Sequence, residues 1–398
     1  MSKSASLILA ALALFFLLIA CTLPSAVKEE PSPPPSPPIA TATMATLVPT
    51  KTDTPEPTGT REPGPGRTET PIPASPTPTE IWMMELEDWP AMTRQEWPRP
   101  TQDNGLCIHF IPSAYHKAED LDHHIARMVS MRMKWALVIY ADEIQLEMAA
   151  TKFRDAGITV VWRRMLYPDE RYFDWGRDVQ LLQSLGMPPY MQIYNEPSLE
   201  VLWEDPPVTR LRFTENLLRA ARDVYNAGGY VGLQFVDPQW LRDALFEIRL
   251  HGGEPIFGRM FFVPHPYGLN HPPSYQEDLN AVLGFLHFAN VFQEEIGFVP
   301  PMTAGEGGWK YGATDDDRFS RIDDQVHRDY HLEVFNWFRT GTLSNGEPLS
   351  DYLFAFCPWL LSSKMDDSAW FDSFAGDRVL TIEAVRNMPP FTRRFTWD

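Results

Sequence analysis

Cysteine is scarce, with 3 in 398 residues. That excludes a dense disulfide framework. No Cys-x-x-Cys or His-Glu-x-x-His pattern occurs, so no zinc motif and no metal site is expected. Positive charge is also short: 34 Lys and Arg face 53 Asp and Glu, for a net charge of −19. Such a chain does not point to nucleic acid or an anionic membrane surface as a partner. The strand-associated Gly-x-Gly-x-x-Gly of a dinucleotide site is missing, and so is a Gly-x-Ser-x-Gly elbow. No cofactor is expected. No repeat of 20–50 residues is visible. Aromatics, by contrast, are plentiful at 13%, with 13 Trp. Some must be core. A surplus also suits a cleft for sugars, because pyranose rings stack on flat apolar faces.

The one long apolar run is Leu7 to Ala20, behind the positive Lys3. It is short for a transmembrane helix and has the layout of a signal peptide, residues 1–20. Leu18-Ile19-Ala20-Cys21 resembles a bacterial lipobox. The resemblance implies cleavage before Cys21, lipidation of that cysteine, and an extracytoplasmic protein anchored to the membrane. An ordinary signal peptide or uncleaved anchor is the alternative. Thr22, not Asp, follows the cysteine. Residues 21–80 read as a linker holding 16 of the 38 prolines. It has too few apolar side chains to offset its chain entropy. Proline makes it a semi-stiff spacer.

Residues 81–398 suffice for one large core. Short apolar runs alternate there with longer amphipathic ones, the rhythm of a parallel barrel. Strands are expected at 106–110, 135–140, 159–163, 190–194, 230–235, 259–263, 301–304 and 353–356. Helices are expected between them, including 121–133, with Leu121, Ile125, Met128 and Val129 on one face, 213–226, and a long stretch from Tyr275 to Glu295. Eight strand–helix units fit an α/β fold, the (β/α)8 or TIM barrel.

Chemistry in such a barrel sits at the C-terminal ends of the strands. The fourth expected strand runs into Tyr194-Asn195-Glu196-Pro197. The seventh runs into Ala304-Gly305-Glu306-Gly307-Gly308-Trp309. Each places a glutamate just past the strand. Glycoside hydrolysis needs such a pair: one group protonates the leaving oxygen, and the other captures or stabilises the oxocarbenium-like centre. Surroundings can push two carboxyl pKa values apart and leave one proton available. Singly, each glutamate could equally be a helix-start or solvated loop residue.

In these motifs, over roughly Gly105 to Phe374, the chain resembles the clan A glycoside hydrolases. That clan carries Asn-Glu-Pro after the fourth strand and a second glutamate after the seventh. The resemblance implies a retaining hydrolase of β-linked glycans. Glu196 would be the acid/base, Glu306 the nucleophile and Asn195 a partner of the sugar 2-hydroxyl. It also implies that His265 or Tyr267, after the sixth strand, contacts nucleophile or substrate, and that Trp359 stacks on sugar. The expected partner is a polysaccharide or oligosaccharide.

Arg163 or Arg164 could bond a carboxylate or hydroxyl, with a structural ion pair as the other reading. His109 and Tyr140 are candidates for the cleft floor. Trp203 and Trp309 are candidates for outer subsites. Asp315-Asp316-Asp317 reads better as a solvated loop than as a calcium site, and His265 and His271 lack metal spacing. Cys107 and Cys357 fall on the first and eighth strands, neighbours once a barrel closes. A bridge is one outcome, although strand-to-strand geometry rarely suits it. The rival functions are a glycan-binding barrel without hydrolysis and a barrel hydrolase of another substrate.

Overall fold

Each of the eight apolar runs forms a strand. The computed structural model describes residues 82–112, 117–199 and 210–398. The expected signal peptide, Cys21, the linker and Trp203 lie outside the described residues. The strands are β1 His109–Phe110, β2 Trp135–Tyr140, β3 Thr159–Arg164, β4 Tyr190–Gln192, β5 Tyr230–Leu233, β6 Met260–Phe262, β7 Met302–Ala304 and β8 Leu353–Phe356. All neighbours pair in parallel, in sequence order. The ring closes through a parallel bridge between Leu106 and Phe356. The His109 N–H also donates to the Pro358 carbonyl at 3.0 Å. The fold is a (β/α)8 barrel.

The helices are α1 Ala118–Ser130, α2 Glu143–Asp155, α3 Trp175–Ser184, α4 Arg210–Asn226, α5 Pro238–Leu250, α6 Phe285–Ile296, α7 Asp324–Thr340 and α8 Val379–Asn387. Asp142, Asp237 and Asp323 cap α2, α5 and α7 by accepting backbone N–H groups of the first turn. Among the described residues no helix is long and apolar enough to cross a membrane.

Several boundaries differ from expectation, and three of the differences have a plain physical reason. Strand β7 starts at Met302 and not at Pro301, because proline has no N–H for the ladder. Helix α6 starts at Phe285 and not at Tyr275. The Asp278 side chain accepts the Asn280 N–H at 2.7 Å, a turn that diverts the chain ahead of the helix. Helix α1 ends at Ser130, since Arg132 takes a left-handed φ of 57°. His124 takes the place expected of Val129 on its buried face, and Val129 is 50% exposed.

Strand residues alternate between two cores. Ala136, Val138, Tyr140, Val160, Trp162 and Met191 face the helices. Trp135, Leu137, Ile139, Val161, Tyr190, Tyr230, Phe261, Val263 and Phe354 fill the barrel. Burying one large apolar side chain of this kind stabilises by roughly 1.5–3 kcal/mol. Trp97 and Phe395 join the interior set from outside the strands. The Trp97 ring lies 4.8 Å from that of Tyr230, and the Tyr190 hydroxyl donates to the Pro98 carbonyl at 2.6 Å. This end of the barrel is therefore a packed plug.

Cys107 and Cys357 form a disulfide with Cα atoms 4.3 Å apart. The bridge forms although strand-to-strand geometry rarely suits one. Closure brings the two chains together, and both thiols belong to the interior set.

Candidate active site

The inward set continues upward past the packed layers, and there it turns polar. Arg163 stands two residues beyond Val161, Gln192 two beyond Tyr190, Gln234 four beyond Tyr230 and His265 two beyond Val263. His109 and Gly305 occupy the same phase on β1 and after β7. Because side chains alternate with period two, the five side chains face the barrel axis at its C-terminal end, and Gly305 leaves room among them. Over this polar layer lie Glu196 and Glu306.

Glu306 is 5% exposed. Arg163 donates to its Oε1, and the Tyr267 hydroxyl donates to its Oε2 at 2.9 Å. The same Arg163 Nη1 donates to Asn195 Oδ1 at 2.8 Å. His265 Nδ1 sits 2.7 Å from Glu196 Oε1 and 3.7 Å from Glu306 Oε2. One ring nitrogen thus faces both carboxylates. Glu196 is the more open of the two, with its side chain 16% exposed.

Burial works to raise the Glu306 pKa. The positive charges facing it, His265 when protonated and Arg163 always, outweigh burial and hold it well below the usual carboxylate range. Glu306 is therefore held as an anion near neutral pH. The Tyr267 hydroxyl moves the other way. Burial, then the negative charges of Glu306 and Glu196, push its pKa well above the ordinary value. It stays protonated and can only donate to the carboxylate.

Local backbone permits the close approach of these groups. Gly305 lies so near Val263 and Leu137 that a Cβ would meet them at 2.3 and 2.5 Å. Gly308, at φ +80°, has His331 Nε2 where a Cβ would point, at 2.6 Å. The loops after β6 and β7 join here. The Gly268 N–H donates to the Gly308 carbonyl at 2.9 Å, and the Gly308 N–H donates to the Pro266 carbonyl at 3.2 Å. The Trp359 N–H donates to the Gly307 carbonyl at 3.0 Å, tying in the β8 loop. The Trp359 indole packs on His109, centroids 4.6 Å apart, and its Nε1–H donates to Asp366 Oδ2 at 2.7 Å.

Of the expected residues, Glu196, Glu306, Asn195, Arg163, His265, Tyr267 and Trp359 meet at one site. His109 belongs to it from beneath. It is fully buried, with Nδ1 3.0 Å from the Gly305 carbonyl. Burial lowers its pKa to about 3, so it is neutral near pH 7. It supports the cleft and does not line its floor.

Trp309 is a correction. It is 1% exposed, its Nε1–H donates to the His271 carbonyl at 2.8 Å, and it packs on Tyr330 and His331. A ring so enclosed has no face for a sugar. Tyr140 has the helix-facing phase and donates to Asp178 at 2.6 Å. Arg164 stacks on Tyr172 and pairs with Asp178, a structural role. Asp316 is taken up by Arg318 and His271, while Asp315 and Asp317 are exposed.

Gln192 and Gln234 were not expected. Gln192 Nε2 donates to Asn195 Oδ1 and to the Tyr194 carbonyl, both at 3.2 Å. Gln234 Oε1 accepts the Glu196 N–H. The alternation rule could have found both, since each continues an inward-facing strand.

Glu196, His265 and Glu306 offer three atoms within 4.8 Å of one another, close enough to hold a metal ion. Two observations weigh against that use. The Arg163 guanidinium already supplies positive charge to Glu306, and His265 Nδ1 is engaged by Glu196. A cavity of about 450 Å³ lies at the opposite end of the barrel, near Leu106, Lys134 and Met388, away from the carboxylates.

No protein-family model and no curated protein matches the chain. Solved structures do. An uncharacterized B. cereus protein is 9% identical at a TM-score of 0.38, over 73% of this chain and 66% of that one. A β-glucuronidase from Ruminococcus gnavus, in complex with D-glucuronic acid, is 10% identical at a TM-score of 0.40. That match covers 71% of this chain and 48% of the glucuronidase, so the chain spans about half its length. A truncated 3-deoxy-D-arabino-heptulosonate 7-phosphate synthase from Thermotoga maritima is 12% identical at 0.36, over 71% and 84%. At such identities and scores, these likenesses carry no argument about activity.

Proposed function

We propose that this chain is a retaining glycoside hydrolase acting on β-linked glycans. The observation that carries the proposal is the carboxylate pair, one from the end of β4 and one from the end of β7, brought to one polar site. An oxygen of Glu196 and one of Glu306 lie within 4.8 Å of each other. Retaining enzymes hold their carboxyl groups about 5–5.5 Å apart, and inverting enzymes roughly 6.5–9.5 Å to admit a water. The short spacing supports retention.

In this reading Glu306 is the nucleophile. It is an anion and is aimed by Arg163 and Tyr267. Its oxygen bonds to the anomeric carbon as the glycosidic C–O bond breaks. The proton of Glu196 goes to the leaving oxygen. Water then attacks the anomeric carbon of the ester on Glu306 and gives its proton to Glu196, which frees the Glu306 carboxylate. Asn195 fits the 2-hydroxyl. Its Oδ1 already accepts from Arg163 and Gln192, so its Nδ2 hydrogens are the part left for substrate. Trp359, half-buried, offers a ring for stacking.

A panel of polysaccharides and aryl β-glycosides, read by product release, tests the activity. Glu306→Gln is expected to lower turnover by at least about 10³-fold with glycan binding retained. Binding without release by the wild type would favour a glycan-binding barrel. The same proposal puts the barrel outside the cytoplasm, tethered by the linker to a lipid on Cys21. Fatty-acid labelling of the whole chain, lost in Cys21→Ala, is the expected result.

A further inference from the structure

Tyr194-Asn195-Glu196 is an unusual turn for its residues. Tyr194 has φ +59° and Glu196 has φ +40°. Both lie in the left-handed region, which side chains other than glycine rarely adopt. Pro197 follows and narrows the choices of Glu196 further. Such a turn persists only where its surroundings over-determine it.

Two buried glutamines do so from beneath. Gln234 is 2% exposed and Gln192 is 0% exposed. Gln234 Oε1 accepts the Glu196 N–H, fixing the backbone from which the acid/base side chain departs. Gln192 Nε2 donates to the Tyr194 carbonyl and to Asn195 Oδ1. Gln192 ends β4 and Gln234 directly follows the adjacent β5, with Gln192 in register with Gly232, two residues before Gln234. Each grips a different part of the turn: Gln234 holds Glu196, and Gln192 holds Asn195.

We propose that Gln234 and Gln192 are separate positioning residues for the proposed hydrolysis, Gln234 acting through the acid/base Glu196 and Gln192 through the substrate-binding Asn195. This rests on the hydrolase reading. It also carries a distinction that a merely structural role would not produce. Proton donation matters most when the leaving group is poor. A displaced Glu196 therefore slows cleavage of a phenyl glycoside far more than that of a dinitrophenyl glycoside, whose phenolate leaves unaided. A displaced Asn195 loses a sugar contact that both substrates share.

The test compares kcat/KM of wild type, Gln234→Met and Gln192→Met on phenyl and dinitrophenyl β-glycosides of the sugar that the wild type accepts. Methionine keeps the length of glutamine and removes its amide. Gln234→Met is expected to lose roughly 10²-fold on the phenyl glycoside and under about 10-fold on the dinitrophenyl one. Gln192→Met is expected to lose about 10-fold on both. Melting curves accompany each variant. If Gln234→Met does not fold, Gln234→Asn, which keeps a shortened amide, takes its place with the same expected split. Equal losses on the two substrates for the Gln234 variant, or no loss, overturn the positioning role. A split for Gln192→Met overturns the separation of roles. A wild type that releases no sugar from any glycoside overturns the hydrolase reading, and this proposal with it.

Discussion

Without Arg163, Glu306 would remain buried beside His265 and Tyr267 with no fixed positive charge. Breaking a buried pair from one side costs about 3–5 kcal/mol, because the remaining charge is stranded. Arg163→Met is therefore expected to lower the unfolding free energy by about that amount, read from a urea midpoint. It should also raise the Glu306 pKa, since burial then acts with less opposition. The acid limb of any activity profile would move to higher pH. An unchanged acid limb would show that Arg163 does not set the Glu306 charge. Lysine is not an equivalent replacement. One guanidinium nitrogen bonds both Glu306 and Asn195, in a plane that fixes the two together.

At the scale of elements, the loops after β6, β7 and β8 meet as closely packed backbone. Gly305 admits this approach, because a Cβ there would lie 2.3 Å from Val263. Gly305→Ala should cost roughly 1–3 kcal/mol by overpacking. It should also displace Glu306, lowering activity beyond what the lost stability explains. A variant as active as wild type would contradict that coupling. Much of this arrangement was legible in the chain. Each of the eight apolar runs produced its strand, and the two glutamates stood out once strands were counted, because strand number assigns them one face of the barrel. What stayed hidden depends on side-chain direction or tertiary contact. Gln192 and Gln234 carry no charge and match no motif. Trp309 follows Glu306 closely but turns inward, since its indole N–H finds the His271 carbonyl. Tyr275 to Gly284 has a helical composition, yet the Asp278 turn intervenes.

For the whole molecule, one covalent link and three neutral histidines decide behaviour under stress. The Cys107–Cys357 bridge spans 250 residues of sequence. Its loop closure is worth about 5 kcal/mol in the chain-entropy account. The double variant Cys107→Ser, Cys357→Ser should lower the unfolding free energy by several kcal/mol, and a change under about 1 kcal/mol would contradict it. Burial pushes the pKa of His109 to about 3 and that of His331 to about 4, and it holds His327 well below its ordinary value. In the unfolded chain each titrates near about 6.5. As pH falls below that value the unfolded state takes up protons that the folded state refuses, so stability is lost. Asp103 and Asp178, raised by burial, act in the opposite sense. Where the histidine linkage sets the balance, the urea midpoint falls between pH 7 and pH 5. A midpoint that holds or rises would contradict this.

The stereochemistry of cleavage tests the paired-glutamate account most directly. Proton magnetic resonance, recorded within minutes of adding the chain to a β-glycoside that it cleaves, reads the anomer formed first, before mutarotation. Double displacement at Glu306 predicts the β-anomer. An α-anomer appearing first would mean that water attacks directly, and it would contradict the roles given to Glu196 and Glu306.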